Sequence, residues 1–95
     1  MINNNLGSVP FTATITLTKS TDFNTITTPG VYFYNSWAGD AGVGKNQPET
    51  SGLLGFMLVF GFGASRGQVL FTAGKYMIRH YDGTTWYAWK SLVLT

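Results

Sequence analysis

Alternating apolar and polar residues form the clearest pattern near the start of the chain. Between residues 11 and 18 every second residue is apolar, and the residues between them are threonines. The apolar positions are Phe11, Ala13, Ile15 and Leu17. A period of two is typical of a β-strand with one buried and one polar face, and the branched Cβ of threonine favours the same conformation. The pattern predicts a strand over residues 11–18 with its apolar face toward a core.

Glycine and proline turns divide much of the remaining chain into short apolar segments. The predicted turns are at residues 28–30, 63–67, 73–74 and 82–83, and the predicted strands are at 31–34, 53–62, 68–72, 75–81 and 85–94. Asp82-Gly83 is a strong hairpin signal, because both residue types tolerate a positive φ angle. Successive strands separated by glycine turns predict an antiparallel meander. We therefore predict an all-β fold, either a small antiparallel β-sandwich or a curled sheet, of about five or six strands.

Residues 53–62 are apolar at almost every position, so a strand here is apolar on both faces. A helix is the competing interpretation, but the segment is short and contains Gly55 and Gly61. A chain of 95 residues has difficulty covering both faces of one strand, and an exposed apolar strand invites aggregation. A neighbouring subunit is the simplest cover, and we predict a subunit interface at Phe56, Leu58 and Phe60.

Two tryptophans near the end of the chain raise a question about the last strand. Trp86 and Trp89 are three positions apart and would lie on opposite faces of a regular strand. If both are buried on one side, a bulge near Tyr87-Ala88 must rotate the pleat. Otherwise one ring packs inside and the other lies in a subunit contact. Arg79, on the preceding strand, can stack on a neighbouring aromatic ring or pair with an acid.

A long loop predicted at residues 35–52 carries the candidate ligand-binding residues. Loops of this length in compact domains are usually functional or mobile. The candidates for glycan binding are Trp37, Asp40, Asn46, Gln47 and Glu49. An aromatic face can stack on the C–H surface of a sugar, while amides and carboxylates hydrogen-bond to its hydroxyls. Trp37 has a second interpretation, in which it folds back and closes the core.

Several classes of function require charged residues that this chain has in short supply. Charged residues make up 11% of the chain, and its six Lys and Arg residues are scattered. We therefore predict no nucleic-acid partner. Asp22 and Asp82 lie in turn signatures, where a carboxylate caps backbone N–H groups. Asp40 and Glu49 then remain as the possible pair for glycoside hydrolysis, and we predict no enzyme activity and no cofactor.

Metal binding and membrane insertion are not predicted either. The chain has no cysteine and a single histidine, His80, so one copy cannot build a multi-histidine site. Three copies around a threefold axis could still bring three imidazoles to one metal ion. Residues 53–62 are about half as long as a membrane-spanning helix. The residues at the N-terminus lack the basic and apolar regions of a signal peptide.

Two segments of the chain resemble the pyocin-knob and phage tail-fibre knob family. Residues 22–32 read Asp-Phe-Asn-Thr-Ile-Thr-Thr-Pro-Gly-Val-Tyr and are similar to the opening signature of the family, an Asp-apolar-Asn unit followed by Pro-Gly-aliphatic-Tyr. Residues 76–92 resemble its closing hairpin, in which an arginine strand leads through a glycine turn into Trp-x-x-Trp-basic-x-aliphatic. The matching positions are Arg79, Gly83, Trp86, Trp89, Lys90 and Leu92. Residues 36–52 fit the family pattern only loosely.

The resemblance implies a homotrimeric fibre with this domain near its distal, host-facing tip. On that basis residues 1–20 are a lead-in and strand that connect to the fibre shaft, and residues 21–95 are the knob domain. The implied function is non-catalytic attachment of a virion to a host surface polysaccharide or lipopolysaccharide, outside the host cell. The alternative is a structural trimerisation or capping module of the fibre without receptor contact. The resemblance assigns no catalytic or ligand-binding residue.

Overall fold

A computed structural model describes residues 12–37, 44–48, 54–72 and 74–92, which form one six-stranded β-sheet. The strands are β1 (Thr16–Thr18), β2 (Gly30–Asn35), β3 (Leu54–Phe62), β4 (Ser65–Thr72), β5 (Lys75–Tyr81) and β6 (Lys90–Ser91), and each pairs with the next. A 3-10 helix at Phe23–Thr25 is the other regular element of the described residues. The predicted all-β class and strand number are confirmed. Nowhere in these residues is there a helix with the length and apolarity to cross a membrane.

The strand pairing departs from the predicted meander at one end of the sheet. β1 runs parallel to β2, whereas every later pair is antiparallel. A parallel neighbour needs a crossover connection, and residues 19–29 with the 3-10 helix provide it. The meander is therefore correct for β2 to β6 and wrong for the first pair. The sequence leaves a sandwich of two sheets or one curled sheet open, and the described residues form one sheet.

The first strand is shorter than the alternating pattern predicts. β1 has three residues and pairs only with Phe33–Asn35. Leu17 is buried as predicted, but Ile15 is 54% exposed, and Phe11 lies outside the described residues. Alternation indicates which side chains avoid water, whereas the length of a strand is set by the residues that pair with its neighbour. Here the pairing covers only Thr16–Thr18, the last three residues of the predicted strand.

One face of the sheet, called here the inner face, carries the hydrophobic core. Its buried side chains come from successive strands: Leu17, Tyr32, Tyr34, Met57, Val59, Leu70 and Met77. Phe23 of the 3-10 helix is completely buried over this face and packs edge to face on Tyr34, with ring centroids 5.2 Å apart. A few large aromatic rings can organise a core of this size because each buries a large area. The crossover thus covers the inner face.

Side-chain hydrogen bonds fasten the crossover to the sheet. Gln68 of β4 is completely buried, and its Nε2 donates to the carbonyls of Phe23 at 2.8 Å and Ile26 at 2.9 Å. Arg66, two positions earlier, donates from Nε to the Thr27 carbonyl at 2.6 Å. Because buried carbonyls without partners are costly, these polar residues of β4 stabilise a segment that has no strand pairing of its own.

Candidate functional site

The opposite face of the sheet, called here the outer face, is apolar across β2 to β5. One row of paired residues consists of Val31, Leu58, Val69 and Ile78. A second row consists of Phe33, Phe56, Phe71 and Tyr76, and Phe60 extends the same face along β3. We call these nine residues the outer apolar face. Its continuity follows from the apolar character of β3, because Phe56 and Leu58 pair with apolar residues on both neighbouring strands. Phe60 pairs with Gly67, which leaves its ring on the same face.

The aromatic residues of the outer apolar face are open to solvent in a single chain. Phe56 is 49% exposed and Phe60 is 50% exposed, although the aliphatic residues between them are half-buried. The Phe33 and Phe56 rings meet edge to face with centroids 5.5 Å apart, so the rings also cover one another. Monomeric proteins rarely expose large contiguous apolar patches, and such patches mark interaction sites. The three predicted interface residues Phe56, Leu58 and Phe60 all lie on this face.

A cavity of about 360 Å³ lies at the end of the outer apolar face. Its apolar walls include Phe60, Val69, Ile78, Tyr87 and Ala88. Gly67 lies beneath the Phe60 ring, where an added Cβ would be 2.6 Å from Phe60 Cζ. A side chain at position 67 would therefore displace the ring that forms one wall. No sequence pattern predicts this cavity, because it depends on the register that pairs Phe60 with Gly67.

Polar contacts fix the rim of the cavity. His80 Nε2 and Ser65 Oγ share a hydrogen bond of 2.9 Å, and Ser65 Oγ also donates to the Tyr81 carbonyl at 3.1 Å. The His80 ring stacks on Tyr87 with centroids 6.1 Å apart. In the tautomer with the proton on Nε2, His80 donates to Ser65 while Ser65 donates to the Tyr81 carbonyl. The contact orients the imidazole at the rim of the cavity.

Tyr87 is held in turn by Asp82, at the turn before the last strand. Tyr87 Oη donates to Asp82 Oδ2 at 2.9 Å, and Asp82 Oδ1 accepts from the backbone N–H groups of Thr84 and Thr85. These N–H groups, with the Tyr87 hydroxyl, hold the pKa of Asp82 below its usual value. Asp82 therefore has the turn-capping role that the sequence predicts. Gly83 has φ 99°, as the hairpin signal requires.

Arg79 lies beneath the two tryptophans on the inner face. Its Cζ is 3.9 Å from the ring centroid of Trp86 and 4.8 Å from that of Trp89. Its Nε donates to Gln68 Oε1 at 2.8 Å. Burial lowers the pKa of Arg79 to about 10, and the nearby Asp22 carboxylate acts in the opposite direction. The guanidinium therefore stays charged at neutral pH, and the predicted stacking on an aromatic ring is confirmed.

An extra residue in the last strand places both tryptophans on the Arg79 side. The flanking pairs are Tyr81 with Trp86 and Ile78 with Lys90. Residues 79 and 80 lie between the two partners on β5, whereas residues 87, 88 and 89 lie between the two partners on the other side. The extra residue is a β-bulge at residues 87–89. This is the position that the sequence predicts for a bulge if both tryptophan rings share a face. The alternative, with one ring inside and the other in a subunit contact, is not what the described chain adopts.

The two segments that resemble the knob family pack against each other. Phe23 meets Trp89 edge to face at 6.2 Å. Trp89 Nε1 donates to the Asn46 carbonyl at 2.9 Å, and Asn46 Nδ2 donates to Asp22 Oδ1 at 2.7 Å. The hydrogen bond from Asn46 holds the pKa of Asp22 below its usual value, aided by the Asn24 N–H. Asp22 also caps the 3-10 helix through that N–H, as the sequence predicts.

The predicted glycan-binding residues have separate structural roles. Trp37 is 72% exposed, so it does not close the core of this chain. Gln47 is buried: its Oε1 accepts from Tyr34 Oη, and its Nε2 donates to the carbonyls of Thr18 and Thr21. Its amide is thus occupied by the fold, and we do not carry it into a glycan site. The ligand roles of Trp37 and of Asn46, which is exposed but bound to Asp22, stay predictions.

Two more of the predicted ligand residues, Asp40 and Glu49, lie outside the described residues. Within the part of the chain that the structure describes, no group of three or more His, Cys, Asp or Glu side chains could hold a metal ion. A metal ion shared by His80 from three copies therefore stays a hypothesis about an assembly.

Comparison of the chain with protein-family models, with curated proteins and with solved structures gives no match. The knob family therefore remains a resemblance of two motifs, and the function is inferred below from the surfaces of the sheet.

Proposed function

We propose that this chain is a non-enzymatic tip module of a phage-type tail fibre that works as a homotrimer. The observation that carries the proposal is the outer apolar face, with its solvent-exposed Phe56 and Phe60. Surfaces of this kind mark interaction sites in soluble proteins. In a trimer the three copies cover one another's outer faces, and the second apolar face of β3 is then buried as the sequence predicts.

A second copy of the chain fits the outer apolar face better than a charged partner does. The eight residues of its two rows on β2 to β5 are uncharged, and Lys90, which pairs with Ile78, lies at the edge of the first row. An identical face supplies an apolar surface of equal extent. Only 11% of the residues are charged, and depletion of charge is typical of the buried part of an interface.

The family resemblance supports the fibre setting of this trimer. Its two segments meet through Phe23, Trp89 and Arg79, so the residues that carry the resemblance belong to one structural unit. We place the domain at the distal end of a fibre on the virion, where it acts outside the host cell. In this account the chain fixes the fibre tip and needs no cofactor.

A second candidate function is attachment to a host surface polysaccharide or lipopolysaccharide. The observation that favours it is Trp37, which is 72% exposed. The Trp37 N–H donates to Asn35 Oδ1 at 3.0 Å, so its backbone is anchored directly after β2. An anchored, exposed indole is available to stack on a sugar. Both functions are compatible in one trimer, because Trp37 is not part of the outer apolar face.

The interface is tested by placing a charge in its centre. Leu58→Asp puts a carboxylate between two neighbours of the same apolar row, so we expect the trimer to dissociate or the chain to aggregate. Ser20→Asp, which adds the same charge at an exposed position of the crossover, is the matched control and should stay trimeric. Light scattering after gel filtration measures both masses. A Leu58→Asp variant that remains a folded trimer would rule out the proposed contact.

The glycan hypothesis is tested separately at Trp37. Trp37→Ala should lose binding to host cells and to host polysaccharide while its mass stays trimeric. Trp37→Phe keeps an aromatic face and should retain part of the binding. Normal binding by Trp37→Ala would remove this residue from the proposed site and leave the structural function standing.

A further inference from the structure

Phe62 is the most exposed of the large hydrophobic residues described, at 91%. It is the last residue of β3 and pairs with Ser65, so it stands at the tip of the β3–β4 hairpin. Along a strand, alternate residues share a face, and Phe62 therefore projects on the same side as Phe56 and Phe60. A phenylalanine that is almost fully exposed contributes little to the fold of its own chain.

The cavity at the end of the outer apolar face matches this side chain in size and chemistry. Its volume is about 360 Å³, and an apolar cavity of about 150 Å³ already holds a benzene ring. The ring of Phe62 therefore fits, with space for part of the turn that follows it. The walls from Phe60 and Tyr87 offer ring edges and faces for aromatic contact. Ala88 lines the cavity with a side chain of one carbon atom.

We infer that Phe62 of one copy inserts into this cavity on the next copy in the trimer. The inference rests on the proposed function and deepens it, because it names the residue that specifies how the copies are joined. Each chain contributes a Phe62 side chain to one neighbour and a cavity to the other, which is a head-to-tail contact. Contacts of this type close into a ring when the rotation between copies permits.

Two variants remove one side of the contact each. Phe62→Ser removes the inserted ring, and Ala88→Trp fills the cavity from the chain that owns it. Both positions are exposed, so both variants should fold like the parent chain. Central apolar anchors contribute strongly to interfaces, so each variant should weaken self-association by about tenfold or more. The control is Trp37→Ser, which removes another exposed aromatic side chain but one outside the outer apolar face. This variant should associate like the parent.

Mixing the two variants provides the sharpest test. Phe62→Ser keeps an intact cavity and Ala88→Trp keeps an intact Phe62, so an equimolar mixture should form mixed dimers that neither variant forms alone. Sedimentation velocity over a dilution series measures all four samples, and circular dichroism checks their fold. A trimeric Phe62→Ser variant with undiminished association would overturn the inference and leave the proposed function intact. A parent chain that is monomeric at every concentration would refute the proposed function, and this inference with it.

Cysteine pairing tests the geometry of the contact. The chain has no cysteine of its own. The double variant Phe62→Cys with Ala88→Cys should give covalent trimers on oxidation, and a mixture of the two single variants should give covalent dimers. In a head-to-tail contact Phe62→Cys alone has no partner thiol. Efficient covalent dimerisation of that single variant would overturn the head-to-tail arrangement.

Discussion

Arg79 is the residue at which the polar and aromatic contacts of the inner face converge. It stacks on Trp86 and Trp89 and hydrogen-bonds to Gln68, which in turn holds the crossover carbonyls of Phe23 and Ile26. The planar guanidinium can stack and hydrogen-bond at once, which a lysine ammonium does not do. Because the guanidinium makes both kinds of contact, Arg79 can be buried among aromatic rings while it is charged.

Replacing Arg79 should destabilise the fold more than replacing any exposed cation. Arg79→Met leaves Gln68 Oε1 without its donor and removes the stacking, so we expect a loss of about 2–4 kcal/mol in the free energy of unfolding. Arg79→Lys should recover only part of it. Lys45→Met, at an exposed position, should change the free energy by less than about 0.5 kcal/mol. Urea unfolding of the three variants measures the difference, and equal stabilities for Arg79→Met and Lys45→Met would refute the role of Arg79.

Asp22 makes the stability of the fold dependent on pH. Its pKa in the folded chain lies below the usual 3.8 because its carboxylate accepts hydrogen bonds from Asn46 and Asn24. The unfolded state therefore binds a proton more readily. The stabilisation is complete above the unfolded pKa and is lost as the pH falls through the folded pKa. Asp82 acts with the same sign, so both contribute to acid sensitivity.

Asp22→Asn should make the free energy of unfolding less dependent on pH in the acidic range. We expect the variant to be less stable than the parent at neutral pH by about 1 kcal/mol, because the amide can still cap the 3-10 helix but its hydrogen bonds from Asn46 and Asn24 are no longer charge-assisted. The difference should shrink below the unfolded pKa. Thermal unfolding from neutral to strongly acidic pH measures it. A constant difference over that range would contradict the assignment of the pH dependence to Asp22.

At the scale of elements, the bulge at residues 87–89 decides which face each side chain of the last strand occupies. A shift of one residue in a strand moves every following side chain to the other face. Here the extra residue keeps Trp89 over Phe23 while Lys90 pairs with Ile78. The bulge therefore joins the crossover to the end of the chain.

Deleting Ala88 should move Trp89 away from Phe23 and Arg79. We expect a loss of about 2–4 kcal/mol in the free energy of unfolding, since two ring contacts of the core are broken. Ala88→Ser retains the extra residue and should be nearly neutral. Near-ultraviolet circular dichroism reports on the tryptophan environment, and chemical unfolding reports on stability. An unchanged spectrum and stability in the deletion variant would show that the bulge is dispensable.

The sequence predicted those elements whose signals are local. Apolar segments between glycine and proline turns indicate β2 to β5, and the spacing of Trp86 and Trp89 leaves a bulge as one of two alternatives. The parallel pairing of β1 was missed because it depends on how residues 19–29 pack across the sheet. Gln47 was mistaken for a surface ligand because a polar residue in a loop gives no sign that it satisfies buried carbonyls.

The candidate site was predictable only in part for the same reason. Phe56, Leu58 and Phe60 could be assigned to an exposed face because β3 is apolar on both of its faces. The cavity and the role of Phe62 could not be assigned, because they depend on which residue of β4 lies opposite Phe60. Register across strands is a property of the folded sheet.

On the scale of the whole molecule, the sheet has one covered face and one open apolar face. The inner face is covered by the crossover and the bulged strand, and the chain has no second sheet among its described residues to cover the other. Small domains bury a limited share of their surface alone, so a core shared between copies adds stability that one copy lacks. The proposed trimer follows from this asymmetry between the two faces.

The mass of the unmodified chain in solution, measured by light scattering over a range of concentrations, decides whether the chain is a trimer. One chain has a mass of 10.4 kDa, and we expect a stable particle of three times that mass. A soluble particle of 10.4 kDa at every concentration would contradict the trimer, because the outer apolar face would then be stable in water without a second copy.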